Sequence, residues 1–188
     1  MAIARTSRII TPVNTTAGPT RTAADTAVCS PADCAIVLDA NQITLGTILR
    51  IRASGKLSTV ITTPGVIQFL VKFGAITVFD TGAVLGDTVA AHSNLPFTLD
   101  LSIVCQSVGA STSAKFMPGP CFLFSESILG VPASMPKANA VAALPWNTTP
   151  ALGTGFDSTV TNILTLHSTQ TVNTGSLTVL TYSVEQTG

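Results

Sequence analysis

From Pro96 to Gly109 the chain reads PFTLDLSIVCQSVG, in which Phe97, Leu99, Leu101, Ile103 and Cys105 alternate with Thr98, Asp100, Ser102, Val104 and Gln106. A strand puts those five apolar side chains on one face, whereas a helix would scatter them around its circumference. The stretch is therefore a half-buried β-strand. Its polar face, with Asp100 and Gln106, lies in water or at a contact surface. A strand with one apolar face cannot stand alone, so the rest of the chain must supply the sheet beside it and the sheet opposite it.

The neighbouring segments carry the same two-residue period. Ala35 to Leu38 is a short apolar strand, and Thr47 to Ala53 sets Leu49 and Ile51 against Arg50 and Arg52. Ser54-Gly55-Lys56 is expected to turn the chain. Val66 to Phe73 is apolar on both faces, which suits a central strand, and Gly74-Ala75 joins it to Ile76-Asp80, which Thr81-Gly82 ends, as a tight hairpin. Further strands are expected around Cys121-Phe124, over Thr159-Leu166 and over Ser176-Val184. No segment of ten or more residues shows an apolar period of about 3.6. The expected fold is all-β: an antiparallel two-sheet sandwich, jelly-roll-like, with an extended N-terminal arm.

The arm is residues 1–28, rich in Thr and Ala, with Arg5, Arg8 and Arg21 and little periodicity. It has no core face of its own, so it frays or is ordered by the body of the domain, a sister subunit or another partner. The sandwich is expected over 29–188. Within it, 130–150 is an excursion whose Pro132, Pro136, Pro145 and Pro150 remove ladder donors. Trp146, in that excursion, is either an interface residue or an anchor that pins its own loop.

Only 10% of the 188 residues are charged, against about 25% in typical soluble proteins. Such a surface belongs to a Ser- and Thr-covered β domain or to a subunit buried in a permanent assembly. Nine basic side chains balance nine acidic ones, which disfavours nucleic-acid binding. No apolar run approaches the ~18 residues of a membrane-spanning helix, and no signal-peptide core is evident near the N-terminus. Neither membrane nor nucleic acid is an expected partner.

Chemistry is sparse. His92 and His167 stand far apart without ligand-spaced company, and Asp25, Asp33 and Asp39 do not match a calcium loop, so no metal or other cofactor is expected. No G-x-S-x-G is present. Glu126 and Glu185 are conceivable as a glycosidase pair, but aromatic residues for a sugar platform are few. The four cysteines are expected as thiols, although the Cys29 to Cys34 spacing permits a local bridge. Asn14-Thr15-Thr16 and Asn147-Thr148-Thr149 match the glycosylation triplet, read here as accidental.

Leu49-Arg50-Ile51-Arg52-Ala53-Ser54-Gly55-Lys56-Leu57-Ser58-Thr59, Phe69 to Gly74, Phe97 to Leu101, Val108-Gly109 and the closing Leu177 to Glu185 strand resemble a recurring β-sandwich of tailed-phage structural proteins. The resemblance spans roughly residues 35–185 as a pattern of strands and turns. It implies a trimeric jelly roll serving as a capsid decoration or cement protein, with self and the major capsid protein or neighbouring virion proteins as partners. It also implies location on the virion capsid surface after assembly in the host cytoplasm, and no catalytic residue. The excursion around Trp146 and the long arm depart from that pattern. Arg5, Arg8, Ile9, Ile10, Arg21 and Trp146 are the expected partner contacts. The alternatives are a tail or fibre receptor-binding module and a carbohydrate-active enzyme on the same sandwich.

Overall fold

The computed structural model describes residues 7–11, 16–128, 141–146 and 148–188. Arg5, both glycosylation triplets in part, and most of the 130–150 excursion lie outside them. Thirteen strands are present: β1 (Ser7–Ile9), β2 (Thr26–Val28), β3 (Ile36–Leu38), β4 (Ile48–Thr59), β5 (Val66–Phe73), β6 (Ile76–Asp80), β7 (Val84–Leu85), β8 (His92–Ser107), β9 (Lys115–Pro118), β10 (Phe122–Ser125), β11 (Val141–Ala143), β12 (Asn162–Gln170) and β13 (Ser176–Thr187). The only helical turn among the described residues is a 3₁₀ turn at Ala32–Cys34.

The protein is an all-β sandwich of two antiparallel sheets. The first runs β1-β13-β4-β8-β10-β11, with β9 also on β8; the second runs β2-β12-β5-β6, with β3 on β12 and β7 on β5. Strands β4 and β5 pair with β13 and β12 respectively, so the β4–β5 and β12–β13 connections cross side by side from one sheet to the other. The strand expected around Leu101 is β8, and Phe97, Leu99, Leu101, Ile103 and Cys105 all point into the core. Across the sandwich Phe69 meets Phe97 at 5.8 Å, and at one end Phe73, Phe116 and Phe156 form a cluster.

One expectation fails instructively. Ser54-Gly55-Lys56 does not turn: β4 runs straight through it to Thr59. A methyl group on Gly55 would sit 1.9 Å from the Thr178 carbonyl oxygen and 2.9 Å from the Phe97 ring. The ladder between β4 and β13 slips at this point, between Val179 and Thr181. Glycine is thus required by a close approach of two backbones beside a β-bulge, which local sequence cannot distinguish from a turn.

The described part of residues 1–28 runs along the edge of the sandwich. Ser7–Ile9 pairs with Glu185–Thr187, Gly18 donates to the Val179 carbonyl, and Arg21 exchanges backbone bonds with Leu177. The chain then crosses to the second sheet, where Thr26–Val28 lies against β12. A long strand such as β13 would otherwise present an open row of donors and acceptors, and the arm covers it.

All four cysteines are buried and none forms a disulfide. Burial pushes the Cys29 thiol up to about 12 and that of Cys121 to about 11, and raises Cys105 as well. A bulky maleimide is therefore expected to label none of them until denaturant is added. Fast labelling of Cys105 in the native protein would show that the inward phase of β8 is wrong.

Candidate contact face and neighbouring sites

Six of the eight phenylalanines, Phe69, Phe73, Phe79, Phe97, Phe116 and Phe156, are buried; Phe122 and Phe124 are 38% and 41% exposed. Their rings neighbour one another on the outer face of β10, 6.0 Å apart, with Val141 of β11 beside Phe124 and also exposed. Alternation explains the direction. Leu123 and Ser125 take the inward phase, which leaves the rings outside.

The same outer face carries a stripe of charge. Arg50, Arg52 and Lys56 alternate with buried residues along β4, Asp100 lies on β8 and Glu185 on β13. Arg50 grips Asp100 with two hydrogen bonds, Nε to Oδ1 at 2.9 Å and Nη2 to Oδ2 at 2.6 Å. Arg52 approaches Asp100 only to 3.6 Å and stays half-exposed. Register partners continue the row, since Asp100 faces Arg52 on one side and Phe122 on the other. Aromatic and arginine side chains side by side on a flat sheet are the composition of a protein contact surface.

The expected contact residues are not gathered into one site. Arg8 donates to the Gln186 amide oxygen, Ile9 is 72% exposed beside Glu185, and Ile10 is half-buried against the core. Arg21 sits further along β13, ion-paired with Asp25. Trp146 lies at the opposite edge of the second sheet, half-buried against the core, where its backbone N–H donates to the Thr81 carbonyl. That geometry pins its loop along the β6 side. Phe122 and Phe124 were not singled out from sequence, because large aromatics are assigned to a core by default; the strict alternation of Cys121, Leu123 and Ser125 was the available signal.

The outer face of the second sheet holds a cleft of about 530 Å³ between Gln68, Leu70 and Asp80 on one side and Pro145, Leu152 and Thr154 on the other. Elsewhere, His92 Nε2 lies 2.8 Å from Asp87 Oδ2. The Thr59 and Ser127 hydroxyls near this pair are buried without a hydrogen-bond partner, so no nucleophile is joined to the base among the described residues. Glu185 on β13 and Glu126, just past β10, are at least three interstrand spacings apart, roughly 14 Å at ~4.8 Å each, beyond the reach of a glycosidase pair at about 5–9.5 Å. Among the described residues no group of three or more metal-ligating side chains forms, and no helix is long and apolar enough to cross a membrane.

His167 and Asp100 define an acid response. Burial, then Lys72 and Arg21, hold the His167 imidazole below its ordinary value of 6.5, and the Arg50 hydrogen bonds hold Asp100 below its ordinary 3.8. Both native groups bind protons less readily than in the unfolded chain. Stability is therefore complete above the histidine range and falls as pH drops, first through that range and then through the carboxylate range. Urea midpoints measured from about pH 8 to about pH 3 should show two steps, and His167→Gln should remove only the upper one. A midpoint that rises on acidification would contradict this assignment.

Neither a protein-family model nor a curated protein matches the chain. The fold and the face together define a β-sandwich whose first sheet carries a mixed aromatic and charged outer face.

Proposed function

We propose that this is a non-enzymatic virion structural protein, a decoration or cement subunit that binds a capsid shell as a closed homo-oligomer through contact area. The observation that carries this reading is the outer face of the first sheet. There Phe122, Phe124 and Val141 are exposed beside the Arg50, Arg52 and Asp100 stripe, on a chain otherwise poor in charge. The resemblance of the strand-and-turn pattern to tailed-phage sandwiches supports the kind of assembly. Copy number in purified particles tests it: hundreds of copies per particle are expected. A few to a few dozen would favour the second reading, a tail or fibre receptor-binding module, for which the cleft beneath Pro145 and Leu152 offers a ligand-sized space.

The arm contributes a separate test. Deleting residues 2–24 would bare the β13 edge, so it is expected to lower stability and provoke association. Ile9→Ser is the cleaner variant, because that side chain projects from β1 into solvent. Stability should stay within about 0.5 kcal/mol of the parent while particle binding weakens. Unchanged binding would remove the arm from the contact surface.

A further inference from the structure

We infer that the outer face of the first sheet pairs with the same face of a second copy of this chain, around a two-fold axis running along the strands between β4 and β8. The inference builds on the reading of this face as a contact surface and names its occupant. The strand path β1-β13-β4-β8-β10-β11 has three strands on each side of that midline. Across it, Arg52 is the register partner of Asp100 and Ser54 that of Thr98. A two-fold axis along the midline exchanges the β4 and β8 sides, so the Arg52 of each copy comes over the Asp100 of the other. Within its own chain Arg52 holds Asp100 only in a loose ion pair, Nε to Oδ2 at 3.6 Å, and its side chain is half-exposed, so it can reach across the axis to the second copy's Asp100.

The same operation lays the β10 and β11 flank, with Phe122, Phe124 and Val141, over the β13 and β1 flank of the other copy, where Ile9 projects. In register, Phe122 and Phe124 of each copy come over Ser183 and Thr181 of the other's β13, with Ile9 one row beyond Ser183 and diagonal to Phe122, while opposite charges meet near the axis; the same patch thus serves both copies, as an isologous contact needs. The available area suffices. Six strands at about 4.8 Å spacing, by about nine residues of β4 at about 3.3 Å, give a face roughly 29 by 30 Å. Even with its shorter flanking strands it can bury roughly 500 Å² per copy, about 1,000 Å² in total, the threshold for a specific interface. The second sheet offers no comparable plane, since the loop carrying Pro145 and Leu152 overlies it and Leu70 on its outer face is buried.

Sedimentation of the purified full chain at micromolar concentration is expected to give twice the 19.3 kDa monomer mass. Phe122→Ser with Phe124→Ser should raise the dimer Kd at least about tenfold without shifting the melting temperature, since both rings are exposed. The decisive arm uses charge. Arg52→Glu chains alone and Asp100→Arg chains alone should each dimerise at least about tenfold more weakly, yet an equimolar mixture should form heterodimers, because both cross-axis pairs are then opposite in sign. Melting curves of each variant separate a folding defect from an interface defect. Monomers throughout, trimers unaffected by these substitutions, or no rescue on mixing would overturn the inference. A monomer that still decorates particles in hundreds of copies would overturn it while leaving the proposed function standing. A stable dimer absent from particles would do the reverse.

Discussion

Gly55→Ala is expected to cost more than about 3 kcal/mol. The added carbon would lie 1.9 Å from a backbone carbonyl oxygen, that of Thr178, and 2.9 Å from the Phe97 ring. A flexible side chain can swing away from such a clash. A carbonyl held in the β4 to β13 ladder cannot move without opening the longest strand pairings of the first sheet. With a total stability of about 5–15 kcal/mol, this loss should appear as a collapse of the urea midpoint or as insoluble protein. Gly74→Ala is the control: its φ is +57°, but a methyl group there meets nothing within 4 Å. It should cost only about 1 kcal/mol through backbone strain. Equal costs for the two would show that the close approach at Gly55 is not what selects glycine.

Phe156→Ala should cost about 3–5 kcal/mol. The Phe156 ring stacks on Phe116 at 5.3 Å and meets Phe73 edge-on at 4.8 Å, and all three are buried. The residue also exchanges backbone hydrogen bonds with Ala114, so its side chain holds the 149–158 segment against the end of the sandwich. Truncation would lose the ring's transfer free energy, two aromatic contacts of about 0.5–1.5 kcal/mol each, and the contacts around the resulting cavity. Phe156→Leu, which keeps part of the volume, should recover roughly half. A loss below about 1 kcal/mol for the alanine variant, with an unchanged m-value, would mean that the segment docks without the ring.

The acid response and the face chemistry meet at Asp100. Its carboxylate orders Arg50 within the chain and, in the pairing inferred above, receives Arg52 from the second copy. Protonation below the carboxylate range would weaken both contacts.

Side-chain direction along a strand is local geometry, and for that reason the alternation from Phe97 to Cys105 was enough to place five core residues correctly. The same holds for the two apolar faces of Val66 to Phe73, which is a central strand between β12 and β6. The two-residue hairpin at Gly74-Ala75 was equally legible, because its turn chemistry is complete within the turn. What alternation cannot convey is what lies across the gap. Gly55 reads as a turn because the carbonyl that forbids a side chain there comes from Thr178, more than a hundred residues later. Phe122 and Phe124 were not singled out, because the only local signal, the alternation of Cys121, Leu123 and Ser125, is carried by so short a strand that the pairing with β8 was needed to fix its phase. Residues 1–28 read as a loose arm because the edge with which the described part pairs is β13, the last strand of the chain. Strand identity and facing were written in the sequence by a two-residue period. The strapped edge, the glycine contact and the exposed aromatic face came only from long-range pairing, since each depends on two segments brought together by the fold.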